Sequence, residues 1–401
     1  MAGEGGVMPV YPSEKAQKTS SVENEWVKVR LGDVCDVYQP ETISEEEMCS
    51  NGAFPVFGAN GKIGYYDRYN HEKPEVLVGC RGSCCAVNMS EPRSWITGNA
   101  MVVHPKDERL NQSFLYYLLM GGINLRRYVT GSLQPQITKA SLLPVILSLP
   151  PPPEQKQISA LLGSIEKAID LERRCEESLT TIKRAAMHVV FNPANKVGWK
   201  YYPLEEVFTT RQGYTPKTSE ASYWKNGTIP FVTMEDIRKY GQRLEKAHRY
   251  VTEVAIKGSG VFPAGSFIIS TSATIGEHAL ITVPFLTNQR FTCLILKPAF
   301  EKRLERDFIF YYLYMLGQWC RRHVNIGTKF AQVQMSDFRK FSFPIPPLHE
   351  QQEIVDFLTT LDQKLDIHRR KRACLENIFR LFLPNLTRGT LRFTDLPEGC
   401  F

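Results

Sequence analysis

No two of the ten cysteines in this chain stand in a Cys-x-x-Cys spacing. That absence excludes the common structural zinc sites, which are built on that spacing. The densest group is Cys80, Cys84 and Cys85. Reduced, mostly buried thiols of a cytosolic protein are expected there, with a metal or redox role as the minor reading. Long apolar runs are missing too. None approaches the roughly 20 residues of a membrane span, and the polar first 25 residues hold no apolar signal core. Residues 1–25 therefore read as a mobile tail, and the protein as soluble and cytoplasmic. Catalytic signatures are equally scarce. There is no phosphate-cradling Gly loop with its lysine, and Gly58–Gly61 is no dinucleotide fingerprint. Neither a GxSxG elbow nor an HExxH helix occurs. The (Asn/Asp)-Pro-Pro-aromatic motif of a DNA methyltransferase is missing, since Phe191-Asn192-Pro193-Ala194 lacks the second proline and the aromatic ring. These absences favour a binding chain over a catalyst, with neither a cofactor nor a metal expected.

What is present is enough for two or three domains. The chain has 401 residues, 43% of them hydrophobic, and a net charge of +7. A basic balance suits an acidic partner such as nucleic acid, though many ordinary enzymes share it.

One signal occurs twice. Leu149–Ile158 reads LPPPPEQKQI and Ile345–Ile354 reads IPPLHEQQEI, 196 residues apart. Prolines end one element and are tolerated at the first turn of the next, and Glu154 places a carboxylate near that helix's positive end. A helix is predicted from about Glu154 to Val190. Its seam is Ile158, Leu161, Ile165, Ala168, Glu172, Cys175, Leu179, Ile182, Ala186 and Val189, in alternating steps of three and four. At 1.5 Å per residue the rod is roughly 55 Å long, so it needs a partner. The second copy supplies one in Ile354, Leu358, Leu361, Leu365, His368, Arg372, Leu375, Phe379 and Phe382, with Pro384 as the stop. The two helices are expected to run antiparallel, with Glu172 and His368 facing each other as a polar layer that fixes register. The run His368–Arg372 reads as a solvated face, with DNA phosphates or an acidic partner as other possible contacts.

Between these signals lie two mixed α/β units. WVKVRLGDV from Trp26 matches WKYYPLEEVF from Trp199 in plan. EVLVGCRGSCCAV parallels GSFIISTSATIGEHALI, and SWITGNAMVV parallels FLTNQRFTCLIL. The apolar pattern Phe114–Val129 predicts a helix that parallels FIFYYLYMLGQWCRRHV, with Tyr116, Tyr117, Tyr311 and Tyr312 in the core. The stretch RQGYTPKTSEASYWKNGTIPFVTMEDI shows no close counterpart in the first half. Gly58, Gly61, Gly82 and Gly213 read as turn glycines. The loops carry polar side chains suited to DNA, since Arg and Lys fit guanine edges and phosphates while Asn and Gln fit adenine edges. In the first unit the candidates are Asn60, Lys62, Tyr65, Arg81, Ser83, Gln134 and Gln136. In the second they are Arg211, Thr215, Lys217, Ser272, Thr274, Asn288, Arg290, Lys329 and Gln332. For any one of them, a turn-forming or solvated role is the commoner alternative.

The doubled PP-x-x-EQ helix start, the PLEEVF…GYTP…YWKNGTIPF…EDI run and the TSATIG segment resemble the specificity subunit of a type I DNA restriction–modification system. The resemblance covers Trp26 to about Leu383. FPVFGANGKIGYYD and GCRGSCCAV are similar to the other common variant of that family's target domain, except at Cys84-Cys85, where small residues are usual. The resemblance implies a mobile tail over 1–25, a target-recognition domain over 26–153, a central helix over 154–191, a second such domain over 192–349, a C-terminal helix over 350–384 and a tail over 385–401. It implies two α/β domains joined by an antiparallel coiled coil with pseudo-two-fold symmetry. Each domain would read one half of a bipartite double-stranded DNA site, with the helices setting the unread spacer. Two methyltransferase (modification) subunits would dock on the chain, and restriction/translocase subunits would be able to join them, so that no catalysis belongs to this chain. A specificity subunit of a modification-only or type II-like methyltransferase–nuclease stays open as an alternative. More distant ones are a coiled-coil protein-interaction scaffold and an enzyme with an unrecognised site near Cys80–Cys85.

Overall fold

The duplicated Glu-Gln has a physical reason in the computed structural model, which describes residues 25–131, 134–192, 198–258, 260–325 and 331–396. Gln155 and Gln351 are both fully buried. The Gln155 amide donates to the carbonyls of Arg109 and Pro150 at 2.8 Å each, and its oxygen accepts from the Asn111 N–H at 2.8 Å. Gln351 donates to Arg303 and Pro346 at 2.8 Å and accepts from Glu305 N–H at 2.9 Å. Each glutamine thus ties the first turn of a long helix to the loop that opens an earlier helix, and satisfies backbone groups that burial would otherwise strand. The glutamates beside them take indole protons. Glu350 accepts from Trp199 Nε1 at 2.8 Å and Glu154 from Trp26 Nε1 at 3.3 Å.

The chain divides into two units. One holds the residues up to Arg173 together with those from Arg370 onward, and the other is Arg174–Arg369. The long helices, Pro152–Val190 and Leu348–Arg388, each contribute one half to each unit. In the first unit Ile158 and Leu162 share a core with Leu383 and Leu386. In the second, Met187 and Phe191 share one with Ile354, Val355, Leu358 and Leu361. The start of one helix thus meets the end of the other, as antiparallel packing requires. Lys183 pairs with Asp362, and Arg369 lies 3.9 Å from Glu176. A step of seven along one helix is a step of seven back along the other.

Four expectations about these elements need correction. Ile182 and Val189 are exposed (52% and 65%), and Met187 and Phe191 are buried in their place. A straight helix drifts about 20° per heptad against a 3.5-residue repeat, so a strict heptad leaves the buried face after several turns. Pro384 does not stop the second helix, which runs on to Arg388. Leu386 and Thr387 are fully buried, and that packing outweighs the lost backbone bond. The stretch 385–401 is not a tail throughout. Its described part folds back on the first unit, where Arg392 grips Glu154 through two bonds of 2.9 and 2.8 Å. Finally, the Phe114–Val129 helix is broken. An α-helix over Gln112–Tyr117 passes into a π turn over Leu118–Gly122 and a 3-10 turn over Leu125–Tyr128. The break lies at Gly121 and Gly122, where an added Cβ would come 2.4 Å from Leu383 and 2.7 Å from Leu118. Tyr117, Tyr311 and Tyr312 are buried as expected, while Tyr116 is half-buried.

In the first unit a four-stranded sheet has the order Cys35–Tyr38, Ala100–Pro105, Val76–Gly79, Val87–Met89. In the second a five-stranded sheet has the order Phe208–Gln212, Phe291–Leu296, Ser266–Ser270, His278–Ile281, Arg243–Leu244. The equivalent interior strands Val76–Gly79 and Ser266–Ser270 are buried on both faces. Phe267 and Ile269 enter one core and Ile268 the other, as the two-residue period dictates. Residues 54–58 and 229–232 are counterparts after all. Val56 pairs in parallel with Trp95, and Phe231 with Leu286, at the same place beside each main sheet. Each long helix is also tied to its unit by a tyrosine–carboxylate bond: Tyr117 to Glu166 at 2.7 Å, and Tyr311 to Asp362 at 2.9 Å.

His278, buried on its strand against Phe310, is held near pKa 4, chiefly by burial. The folded state therefore binds this proton less readily than the unfolded chain. Its contribution is complete above pH 6.5 and is lost as pH falls through about 4, a difference of roughly 3 kcal/mol. Thermal melts of the native chain are expected to fall across that window, and His278→Gln to flatten the fall.

Candidate nucleic-acid interface

One end of each main sheet carries the same loop. After the strand Val76–Gly79, Cys80 N–H donates to Asn99 O at 2.9 Å and Cys85 N–H to Gly79 O at 2.9 Å. After Ser266–Ser270, Thr271 N–H donates to Arg290 O at 3.1 Å and Gly276 N–H to Ser270 O at 2.8 Å. These bonds make Arg81 equivalent to Ser272, Gly82 to Ala273, Ser83 to Thr274, and Asn99 to Arg290. Both loops use two left-handed residues: Gly82 (φ 67°) and Cys85 (φ 70°) in one, Ala273 (φ 64°) and Gly276 (φ 86°) in the other. Gly276 is required, because a Cβ there would meet Gly317 O at 2.5 Å. Cys85, a residue with a Cβ in the left-handed region, thus sits in a strained position. Burial pushes its thiol up to about 12 and that of Cys80 up to about 11, which leaves little thiolate for chemistry. Among the described residues no group of three metal-binding side chains is assembled.

A cleft opens at each loop. In the second unit it is lined by Gln212, Thr271, Ser272, Ala273, Gln289, Arg290 and Gln332–Met335. The expected residues Ser272, Arg290 and Gln332 meet here, and Gln332 is bridged to Ser272 through the backbone. Exposed Thr274 lies on the same loop, and the Asn288 side chain accepts from Arg290 N–H at 3.0 Å. Thr215 reaches the rim, donating to Gln289 Oε1 at 2.8 Å. Arg211 is engaged elsewhere. It donates to the Gly260 and Val261 carbonyls at 3.3 and 3.0 Å and lies over the Phe262 ring. Lys217 is exposed on a loop whose backbone accepts from Trp224 Nε1 at 3.1 Å. Lys329 lies outside the described residues.

In the first unit the cleft joins Asn60 and Arg81 to Glu45, Ser50, Gly82 and Asn99. Exposed Ser83 follows on the same loop, and Gly61 (φ 95°) turns the hairpin that presents Asn60. Lys62 pairs with Glu91 at 3.4 Å and covers the half-buried Tyr65 ring. Gln134 is exposed and Gln136 half-buried on the segment whose Thr130 and Gln136 backbones bridge. Sequence reasoning missed Asn99, Gln212 and Glu45. Aligning the strands that follow, Ala100–Pro105 with Phe291–Leu296, brings Asn99 under Arg290 and would have found it.

The resulting site is an open, polar, arginine- and amide-bearing cleft on each of two like frames. The chain belongs to the type I restriction modification DNA specificity domain family, whose model matches residues 23–181 and 196–377. It is 47% identical over 147 residues to the EcoprrI type I restriction enzyme specificity subunit of Escherichia coli, a stretch making up 37% of this chain and 36% of that protein. That match spans about a third of the relative's length. The MjaVIII specificity subunit of Methanocaldococcus jannaschii is 21% identical over 439 residues, covering 97% of this chain and 99% of that one. The crystal structure of a type I restriction–modification S subunit from M. genitalium shares the fold, with a TM-score of 0.63 at 15% identity, covering 92% and 98% of the two chains.

Among the described residues no helix is long and apolar enough to cross a membrane.

Proposed function

We propose that this chain is the DNA-reading subunit of a restriction–modification complex, and that each cleft reads one half of a bipartite duplex site. The observation that carries this reading is one frame with two different sets of side chains. Arg81 and Asn99 stand in the first cleft where Ser272 and Arg290 stand in the second. A frame duplicated for stability alone has no need of exposed arginines on different loops. Basic loops supply salt-dependent affinity, and base-edge bonds supply selectivity. The reading domains are residues 26–153 and 192–349. The catalytic work falls to modification and restriction subunits that assemble on the chain. The exposed apolar side chains of the long helices, Leu171, Ile182, Phe357 and Ile367 among them, suit such docking. Glu172 and His368, half-buried among the seam residues of the long helices, are the residues that fix helix register.

Arg290→Ala is expected to weaken binding to the native site about 10- to 100-fold and to relax one base pair of one half-site. Arg81→Ala is expected to act in the same way on the other half. Binding titrations against single-pair variants of the native site check this. Equal loss on every duplex, native or scrambled, would mean that these arginines serve only phosphates.

A further inference from the structure

Three pairs of glutamines coincide when the two units are aligned by their backbone bonds. Gln155 and Gln351 are the buried braces described above. Gln39 and Gln212 form a second brace at equivalent strand ends. Gln39 donates to Gly98 O, and Gln212 donates to Gln289 O at 2.9 Å. Both pairs are explained from within the fold.

The third pair, Gln136 and Gln332, is not. Their backbone setting is the same: Ile137 N–H donates to Cys80 O at 3.1 Å, and Val333 N–H to Thr271 O at 3.0 Å. Ile137 and Val333 are buried and anchor the segment beside the loop. The amide side chains of Gln136 and Gln332, however, have no hydrogen-bond partner among the described residues. Gln332 is exposed and lines the cleft beside Ser272 and Arg290. Folding alone places no demand for an amide at this position, yet both units have one. The arginine, by contrast, moves from the loop position of Arg81 in one unit to that of Arg290 in the other.

We propose that Gln136 and Gln332 each read an A·T pair at the same place in the two half-sites, and that the displaced arginines put a guanine contact at a different place in each. A glutamine amide can donate to adenine N7 while accepting from its N6 amino group, and an arginine fork fits guanine O6 and N7. A neutral amide adds little to phosphate affinity, so its contribution is selectivity. This inference rests on the DNA-reading function proposed above.

The test uses the full chain with the subunits that co-purify with it, and selects bound duplexes from a randomised library. The native chain is expected to enrich a two-part sequence with an A·T pair at matching places in both parts. Gln332→Ala is expected to lose about 10- to 100-fold preference at that pair in one half, and Gln136→Ala at its match in the other. Arg290→Ala is expected to relax a G·C pair instead. Unchanged melting temperatures confirm that the variants fold. Unaltered selectivity in either glutamine variant, or relaxation at pairs that do not match between halves, would overturn the proposal. Failure of the native chain to enrich any two-part sequence would instead overturn the DNA-reading function, and this proposal with it.

Discussion

Gln351→Leu lowers the midpoint of thermal unfolding by about 10 °C, and Gln155→Leu does the same. Each leucine fits the volume but strands three backbone groups that the amide satisfies: for Gln351 the carbonyls of Arg303 and Pro346 and the N–H of Glu305. A buried group without a partner costs about 1–3 kcal/mol, so the sum is about 3–5 kcal/mol after partial relaxation. The neighbouring Gln352 is exposed, and among the described residues its side chain bonds only to Asp356, four residues along the same helix. Gln352→Leu should stay within about 0.5 kcal/mol of the native chain. Differential scanning of the three variants separates a brace from a helix-start preference. Equal effects at Gln351 and Gln352 would mean that composition of the first turn, and not the three bonds, is what the motif supplies.

Adding one heptad to each long helix at matching places, within 158–190 and within the opposed stretch of 354–382, abolishes use of the native site and selects one with a longer spacer. Seven residues lengthen a helix by about 10 Å, close to three base pairs. A heptad preserves the packed faces, and adding it to both helices preserves pairings of the kind seen at Lys183–Asp362 and Glu176–Arg369. The result is read by mapping bound or modified sequences before and after the insertion. A chain that still uses the original spacer would show that the helices are not what sets it.

The long helices and the duplicated plan were legible in the sequence because proline stops and apolar spacing act locally. The heptad was right in period and wrong in its far end. Ile182 and Val189 rotate off the buried face through a drift too small to see in a single turn. Pro384 reads as a stop by local chemistry, and only the burial of Leu386 and Thr387 against the first unit overrides it. The counterpart of residues 229–232 was legible but went unseen: NGAFPVF at 51–57 and NGTIPFV at 226–232 share Asn-Gly-x-x-Pro in the register that the parallel pairs impose, behind preceding segments that differ in sequence. At the clefts, residue type pointed to Arg81, Ser272, Arg290 and Gln332, which the structure places in the cleft linings. It did not separate them from Arg211, whose guanidinium is taken by the Gly260 and Val261 carbonyls. That distinction depends on a strand–loop contact some 50 residues distant in the chain, which no local pattern encodes.

Two domains that each read one half-site should act independently on one chain. Exchanging residues 26–153 for the matching segment of a relative with a different target, and mapping the sequence the assembled complex then recognises, measures that independence. One half of the site is expected to change while the other half is kept. A change in both halves, or in neither, would mean that the two domains do not read independently.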